Sequence, residues 1–236
     1  MIDGSAPVVA PAGRSEVAEA ANVLARLGLV TAYGHVSARA GPSMLITPAA
    51  DLARVTASSV LEVPLTASAV LPAGVPAEAW VHLALYRARP DADAVARAQP
   101  REAFAAAATT TSLVPLHGQA AWLGETVPVH DCAMLLRSPD LAGRAARSLP
   151  AGDALLLRGN GAITLGATPG IAVARMWLLA DACHVYLAAR AAGSVSPLSP
   201  DEITSWRAAG DELLPRLWQH LRRIVRSAGT GYSPRP

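Results

Sequence analysis

The apolar positions of the chain follow two different periods along its length. Segments in which they recur every three to four residues predict amphipathic helices, and segments in which apolar and small polar residues alternate predict strands. The predicted helices cover residues 15–27, 77–87 and 168–192, begin at Pro100 and Ser138, and end with one from Ser199 to near Arg226. The predicted strands cover residues 33–39, 44–47, 92–99, 126–130, 154–158 and 162–165. Because helices and strands alternate irregularly, the pattern predicts an α/β fold with a mixed sheet covered by helices.

Turn and capping residues mark the ends of these elements. Ser15 is placed to cap the first helix, and Gly41-Pro42 predicts a hairpin between the first two strands. The proline-rich residues 64–76 predict a loop, and Gly159-Asn160-Gly161 predicts a tight turn. Ser199-Pro200-Asp201-Glu202 has the pattern of a capping box. We expect a flexible leader over residues 1–13, a single domain over residues 14–226, and a mobile tail over residues 227–236.

Composition narrows the class of protein. Hydrophobic residues make up 52% of the 236 residues and charged residues 16%, which indicates a globular protein rather than a disordered one. The formal net charge of +2 and the scattered arginines argue against nucleic-acid binding. No Gly-x-Ser-x-Gly and no Gly-x-Gly-x-x-Gly motif is present, which argues against a serine hydrolase and a dinucleotide-binding fold.

The number of cysteines and the most apolar segment indicate in which cellular compartment the protein is expected. Cys132 and Cys183 are too few for a disulfide framework, so a reducing cytoplasm is expected. The beginning of the chain lacks the apolar core of a signal peptide. Residues 171–189 are strongly apolar but contain Arg175, Asp181 and His184, which predicts a buried helix rather than a membrane span. No membrane partner is expected.

Four segments in register carry a resemblance to a known family. They are Gly34-His35-Val36-Ser37-Ala38-Arg39, Leu45-Ile46-Thr47-Pro48, Glu78-x3-His82 continuing to Asp91, and Leu156-Leu157-Arg158-Gly159-Asn160-Gly161 continuing to Gly166. Together they resemble the class II aldolase/adducin family over roughly residues 15–192. The first and last segments are more similar to the branch containing decarboxylases and oxygenases of hydroxy-aromatic acids than to the sugar-phosphate aldolases.

The resemblance implies an architecture and a metal site. The fold would be a three-layer α/β/α domain with a largely antiparallel sheet, and the protein would be a homotetramer with active sites at subunit interfaces. Family enzymes hold a divalent metal with three histidines, next to a glutamate that corresponds to Glu78. The positions of the three histidines are occupied here by Arg97, Gln99 and Asn160.

These replacements remove the donors that a transition metal needs. A histidine binds such a metal through a nitrogen lone pair, whereas Arg97 is permanently protonated and has none. Gln99 and Asn160 offer weak carbonyl oxygens, and His35, His82 and His117 lack a spacing that would rebuild the set. The sequence therefore predicts no metal and no other cofactor.

The candidate site combines three catalytic and six binding residues. The catalytic candidates are Glu78, Arg97 and His35, and the substrate-binding candidates are Ser37, Arg39, Thr47, Gln99, Asn160 and His117. Strand alternation places Arg97 and Gln99 on one face, where Arg97 is expected to face Glu78. Each residue also has a purely structural interpretation: Glu78 suits a helix N-terminus, Asn160 suits a turn, and His82 suits a structural hydrogen bond.

Three functions remain open at this point. The first is a metal-independent lyase that decarboxylates, or cleaves in a retro-aldol reaction, an oxo- or hydroxy-aromatic acid. The second is a metal-free isomerase, cyclase or dehydratase that uses the same pocket in a biosynthetic pathway. The third is a non-catalytic protein, such as adducin, that forms oligomers or binds a ligand. Ala49-Ala50 replaces the Ser-Gly found in sugar-phosphate aldolases, so a non-phosphorylated substrate is expected.

Overall fold

The structure, a computed structural model, describes residues 13–227. Within them the helices are α1 (Arg14–Arg26), α2 (Ala79–Ala88), α3 (Arg101–Thr109), α4 (Pro139–Arg147), α5 (Pro169–Ala192), α6 (Pro200–Ala208) and α7 (Gly210–Ser227). The strands are β1 (His35–Ala40), β2 (Ser43–Ile46), β3 (Leu61–Pro64), β4 (Ala94–Ala98), β5 (Ser112–Leu113), β6 (Val127–His130), β7 (Ala154–Leu157) and β8 (Gly161–Gly166). Three short 3₁₀ helices cover Leu52–Arg54, Ala57–Ser59 and Gly118–Leu123.

The strands of this region form one mixed sheet in the order β3-β2-β1-β4-β8-β7-β6-β5. Every pair of neighbours is antiparallel except β6 and β7, which are parallel. In the centre, β1 pairs with β4 so that His35 lies opposite Arg97. The prediction of a mixed, largely antiparallel sheet is therefore confirmed.

Side-chain alternation along the strands divides the core into two layers. In β4, Ala94, Ala96 and Ala98 pack on one face with α1, α3, α5 and α7. Val95 points to the opposite face, where α2 and α4 lie. Arg97 and Gln99 follow the period of Val95, so the sheet directs them toward α2. Helices on both faces complete the expected three-layer α/β/α architecture.

The long helix α5 is a core helix, as the polar interruptions predict. It is long and apolar enough to cross a membrane by length and composition alone, yet 56% of its apolar window is buried inside the protein. Arg175 is paired with Asp153 at 2.9 Å, which neutralises the charge that this helix carries into the interior. Thr168 caps the helix through the amide of Ile171, and Pro169 occupies its first turn.

Besides shifts of one or two residues at the ends of elements, three predictions differ from the structure. The residue that precedes α1 is Gly13 rather than Ser15, because the helix already begins at Arg14 and Ser15 lies inside it. The predicted last helix is two helices, since α6 ends at Ala208 and α7 begins at Gly210. The predicted loop 64–76 begins at the last residue of β3, a strand that pairs with β2 and that the sequence pattern did not predict.

The predicted turns and caps are present. The chain reverses at Gly41-Pro42 between β1 and β2 and at Gly159-Asn160-Gly161 between β7 and β8. Ser199 and Glu202 form the capping box at the start of α6. Of the predicted leader and tail, Gly13 precedes α1 and Ser227 ends α7, and the remaining residues lie outside the described part of the chain.

Candidate active site

The candidate site lies at one end of the sheet, where four elements meet. His35 begins β1, Arg97 lies near the end of β4 and Gln99 just after it, and Asn160 lies in the turn between β7 and β8. Glu78 immediately precedes α2, which crosses the same face of the sheet. Residues that are far apart in the sequence are therefore brought together by the pairing of β1, β4 and β8.

Arg97 is the largest fully buried side chain among residues 13–227, with 1% of its surface exposed. Its Nη2 lies 3.0 Å from Oε2 of Glu78. The same nitrogen donates to the Asn160 backbone carbonyl at 3.2 Å and to the Asn160 side-chain oxygen. The predicted proximity of Arg97 and Glu78 is thus observed, in a geometry that satisfies the guanidinium inside the chain.

Gln99 completes the contacts of the guanidinium from the other side. With its amide turned so that the oxygen faces Arg97, that oxygen accepts from Arg97 Nη1 at 2.7 Å. The amide nitrogen then donates to the Tyr33 carbonyl at 2.8 Å. Gln99 therefore ties Arg97 to the segment that leads into β1.

Glu78 is the more accessible partner, with 11% of its side chain exposed. Its Oε1 accepts from Asn160 Nδ2 at 2.9 Å and from the Leu136 backbone N–H at 3.0 Å. The carboxylate also lies at the N-terminus of α2, where the helix dipole favours a negative charge. These donors fix the orientation of the carboxylate toward Arg97.

Burial makes the ion pair costly to break. Desolvation lowers the pKa of Arg97, and the neighbouring Glu78 opposes that shift. A guanidinium nevertheless stays protonated in proteins, so Arg97 remains a buried cation beside the Glu78 carboxyl group. Removing one partner of such a pair costs about 3–5 kcal/mol because the other charge remains buried without compensation.

Gly161 allows the turn of Asn160 to approach Arg97. Its φ of +86° lies in the region that favours glycine. A Cβ at this position would meet the Ala98 carbonyl oxygen and would come within 2.9 Å of the Gln99 Cα. The absence of a side chain therefore permits the close contact between β4 and β8 that brings Asn160 to the guanidinium.

His35 lies beside Arg97 through the pairing of β1 with β4. It is 5% exposed. Burial lowers its pKa well below the usual value, and the neighbouring His82 and the charge of Arg97 lower it further. His35 is therefore a neutral imidazole at neutral pH, next to a permanent cation.

Ser37 and Thr47 lie on neighbouring strands but make structural contacts. Ser37 is fully buried below His35 and hydrogen-bonds to His82 and Tyr86. The Thr47 hydroxyl accepts from the Val36 backbone at 3.2 Å, which links β1 to the end of β2. The structure places both close to His35 along the chain, and neither has a hydrogen bond to Arg97 or Glu78.

The predicted substrate-binding role of Arg39 is not supported by its position. Arg39 lies four residues after His35 on β1, roughly 13 Å away along an extended strand. Its guanidinium donates to the backbone carbonyls of Tyr86, Arg89 and Ala92, and it lies over the Tyr86 ring. Because these contacts occupy the planar group, Arg39 holds the C-terminal end of α2 against the sheet instead.

His117 also lies away from the site. It directly precedes the 3₁₀ helix Gly118–Leu123, whose Trp122 packs in the layer that contains α5. Gly118 next to it is in contact with Trp206 of α6. His117 therefore belongs to the face of the sheet opposite Arg97. Its position in a short loop did not predict which face it would join.

The sequence interpretation missed two groups that complete the site. The Leu136 backbone N–H donates to Glu78, and no side-chain pattern could have shown a backbone donor. Tyr86 was not singled out, although it follows His82 by four residues on α2 and so shares its helix face. That spacing was the available signal.

Comparison with known proteins identifies the family. A family model described as the class II aldolase and adducin N-terminal domain matches residues 15–187, which is most of the chain. The chain belongs to this family. The resemblance inferred from the four segments is thereby confirmed.

The relatives of this class II aldolase/adducin family member include enzymes of aromatic acids. It is 34% identical over 134 residues to a 4-hydroxy-3-prenylphenylpyruvate oxygenase/4-hydroxy-3-prenylbenzoate synthase of Streptomyces roseochromogenus subsp. oscitans, covering 56% of this chain and 47% of that protein. It is 29% identical over 197 residues to a 3,4-dihydroxyphthalate decarboxylase of Rhodococcus jostii strain RHA1, covering 76% of this chain and 81% of that protein. The chain spans about half the length of the Streptomyces relative.

A solved structure supports the same fold. The crystal structure of L-fuculose-1-phosphate aldolase from Thermus thermophilus matches with a TM-score of 0.68 and 30% identity. The match covers 77% of this chain and 96% of that chain. The α/β/α architecture is therefore that of the class II aldolases.

The residues of this site do not fit the divalent metal that the family implies. Where the resemblance places three histidines, the structure has Arg97 in contact with both Gln99 and Asn160. The guanidinium lies between the carboxylate and the two amides, and it has no lone pair to donate. Its fixed positive charge would also repel a cation. In residues 13–227, no three His, Cys, Asp or Glu side chains converge where they could hold a metal ion.

Proposed function

We propose that this protein is a metal-independent lyase that cleaves a C–C bond of a non-phosphorylated oxo- or hydroxy-aromatic acid. The observation that supports the proposal most strongly is the buried Arg97–Glu78 pair, in which a cation and a proton acceptor lie 3.0 Å apart. The names of two relatives support the substrate class, since both describe enzymes of aromatic acids. Ala49-Ala50, in place of Ser-Gly after Thr47-Pro48, supports a substrate without phosphate.

Arg97 would supply the positive charge that the reaction needs. Decarboxylation or retro-aldol cleavage leaves the electron pair of the broken bond on an oxygen, as an enolate or phenolate. A cation fixed in a dry site stabilises such an oxyanion more effectively than water does. Because Arg97 is 1% exposed, an acidic substrate must take over the position of the Glu78 carboxylate in order to contact it.

Glu78 would carry one proton between oxygen and carbon. For an ortho-hydroxy acid, it first removes the hydroxyl proton, which leaves the oxygen as an anion near Arg97. It then returns that proton to the ring carbon that bears the carboxylate, which gives the oxo tautomer. The C–C bond breaks, CO₂ leaves, and the electron pair reforms the oxyanion, which takes its final proton from water.

A chelator-resistant turnover assay tests this function. We expect the purified protein, pretreated with EDTA, to release CO₂ or an aldehyde from a hydroxy- or oxo-aromatic acid in a panel that also contains sugar phosphates. Glu78→Gln is expected to lower kcat by at least roughly 100-fold, because proton transfer by a positioned side chain contributes about that much. Turnover that appears only after a divalent metal is added would contradict the proposal.

A second candidate function is favoured by the completeness of the Arg97 contacts. Both terminal nitrogens of the guanidinium already have acceptors within the chain, as in a purely structural ion pair. A non-catalytic, adducin-like protein would use the pair to replace the metal as a support for the fold. Absence of turnover for every acid and every sugar phosphate in the panel would favour this candidate.

The proposal includes a homotetramer in the cytoplasm, with the site beside a subunit contact. Tyr33, Met134 and Leu135 are exposed apolar side chains, and they flank the backbone groups that bind Gln99 and Glu78. Both cysteines are free, as expected in a reducing compartment. Light scattering at micromolar concentration is expected to report about four chains of 24.3 kDa, and a monomer would contradict this arrangement.

A further inference from the structure

A chain of four buried side chains runs from the candidate site into the core. His35 Nδ1 lies 2.8 Å from His82 Nε2, and His82 Nδ1 lies 2.6 Å from Ser37 Oγ. Ser37 Oγ in turn lies 2.7 Å from the Tyr86 hydroxyl. All four residues are at most 5% exposed. The cluster is polar throughout, although it lies between the sheet and α2 in an otherwise apolar layer.

Two matching periodicities bring the four residues together. His35 and Ser37 are two residues apart on β1, so both point to the face covered by α2. His82 and Tyr86 are four residues apart on α2, so both point to the sheet. The spacing along the strand and the spacing along the helix are each about 6 Å, which lets the side chains alternate in one row.

Both histidines in the row are neutral. Burial, followed by the charge of Arg97, lowers the pKa of His82 to about 3. The pKa of His35 is lowered by burial and by the same neighbours. A neutral imidazole has one N–H donor and one bare nitrogen, so each hydrogen bond in the row fixes the direction of the next one.

The Tyr86 end determines that direction. The Tyr86 hydroxyl carries a single proton, and the residue is only 2% exposed, so this proton has to be accepted inside the protein. Among the described residues, the Ser37 hydroxyl is the acceptor within hydrogen-bond distance of the phenol. The reverse direction would leave a buried phenol proton unpaired, which disfavours it by roughly tenfold or more.

We infer that Tyr86, Ser37 and His82 fix His35 as the tautomer that carries its proton on Nε2. Tyr86 donates to Ser37, Ser37 donates to His82 Nδ1, and His82 Nε2–H donates to His35 Nδ1. His35 Nε2 is the remaining nitrogen of the row, and no described residue accepts its hydrogen bond. A neutral imidazole N–H is therefore available beside Arg97 to bind an oxyanion.

This arrangement gives His35 and its supporting residues separate roles. His35 would touch the oxyanion of the substrate together with Arg97, an assignment that rests on the proposed lyase function. His82, Ser37 and Tyr86 are positioning residues, because they act through the tautomer of His35. The tautomer itself does not depend on any reaction and can be measured in the resting protein.

Nitrogen NMR of the histidine rings tests the inference directly. In the full-length protein with ¹⁵N-labelled histidine, long-range ¹H–¹⁵N correlations distinguish a protonated ring nitrogen from a bare one, and His35→Gln identifies the His35 signals. We expect His35 to show a protonated Nε2 and a bare Nδ1 at neutral pH. A wild-type His35 with its proton on Nδ1, or a charged ring, would overturn the inference whatever the activity of the protein.

Two conservative variants test the part played by Tyr86. Tyr86→Phe removes the donor at the end of the row, so the Ser37 hydroxyl can turn and the Nε2–H form should lose its predominance. Tyr186→Phe removes one hydroxyl from a buried tyrosine of α5 outside the row, and should leave the His35 signals unchanged. Unchanged signals in a folded Tyr86→Phe protein would show that Tyr86 does not set the direction.

Kinetics separate this inference from the proposed function. With a substrate in hand, Tyr86→Phe is expected to lower kcat roughly tenfold, the effect of losing one aligned hydrogen bond, with little change in KM. Tyr186→Phe should retain wild-type kcat. If no substrate is turned over but the Nε2–H tautomer is found, the lyase proposal fails while the tautomer assignment stands. Should Tyr86→Phe not fold, the wild-type spectrum still decides the assignment.

Discussion

Replacement of Arg97 by methionine is expected to lower kcat/KM by at least roughly 100-fold and to destabilise the fold by about 3–5 kcal/mol. The first effect follows from the loss of the cation beside the developing oxyanion. The second follows because the Glu78 carboxyl group loses its buried partner in a site where only 11% of its side chain is exposed. Turnover assays and urea denaturation measure the two effects separately.

A double variant separates the stability of the pair from its chemistry. In Arg97→Met/Glu78→Gln both charges are gone, and apolar or neutral replacements of buried ion pairs are often as stable as the wild type. We therefore expect the double variant to recover most of the lost stability while it remains inactive. Recovery of activity together with stability would show that Arg97 supports only the fold.

Arg97→Lys tests the planar geometry of the guanidinium. Lysine keeps the positive charge but cannot donate at once to Glu78, Asn160 and Gln99 from two terminal nitrogens. It should therefore fold better than Arg97→Met yet lose much of the activity. Arg101→Lys, at the exposed start of α3, is the matched control and should behave as the wild type. Full activity of Arg97→Lys would mean that charge alone is sufficient.

Strand alternation predicted the centre of the site because it needs only local information. Arg97 and Gln99 are two residues apart in an alanine-rich strand, so they share a face whatever the rest of the fold does. The glycines around Asn160 predicted a tight turn for the same reason. The proximity of Glu78, in contrast, required the family resemblance, because it depends on how α2 packs across the sheet.

The predicted site residues that lie away from Arg97 show how little the sequence says about long-range placement. Arg39 and Ser37 are on one strand face with His35, but the sequence does not show how far along the strand the site extends. The Arg39 guanidinium donates hydrogen bonds to backbone carbonyls at and just after the C-terminal end of α2. His117 is in a loop whose side of the sheet is decided by the packing of Trp122 and Trp206. Tertiary contacts determine where these residues lie, and the periodicity of the sequence carries no information about those contacts.

The direction of the hydrogen bonds around His35 is even harder to predict from the sequence. His82 and Ser37 could each donate or accept, and the choice depends on the buried Tyr86 hydroxyl, whose proton has Ser37 as its acceptor. Only the assembled layer between β1 and α2 shows that these groups form one row. Function in this site therefore depends on proton positions that composition and motifs leave undetermined.

We expect the wild-type protein to bind no stoichiometric transition metal, and we expect histidines at positions 97, 99 and 160 to create a metal site. The three side chains already converge, since Arg97 contacts both Gln99 and Asn160. Three imidazoles with the nearby Glu78 carboxylate form a donor set that suits zinc. At a zinc concentration of 100 times Kd, such a site would stabilise the fold by about 2.7 kcal/mol.

The double variant Gln99→His/Asn160→His is the control that isolates Arg97. It supplies two imidazoles but keeps the guanidinium between them, and the fixed charge should prevent stoichiometric binding. Elemental analysis after dialysis, combined with thermal denaturation with and without zinc, is expected to give about one metal per chain in the triple variant alone. A folded triple variant without metal would show that these positions do not form a metal geometry in this fold. About one metal per wild-type chain, bound at these positions, would refute the metal-free mechanism, because a guanidinium that blocks cations cannot share its site with one.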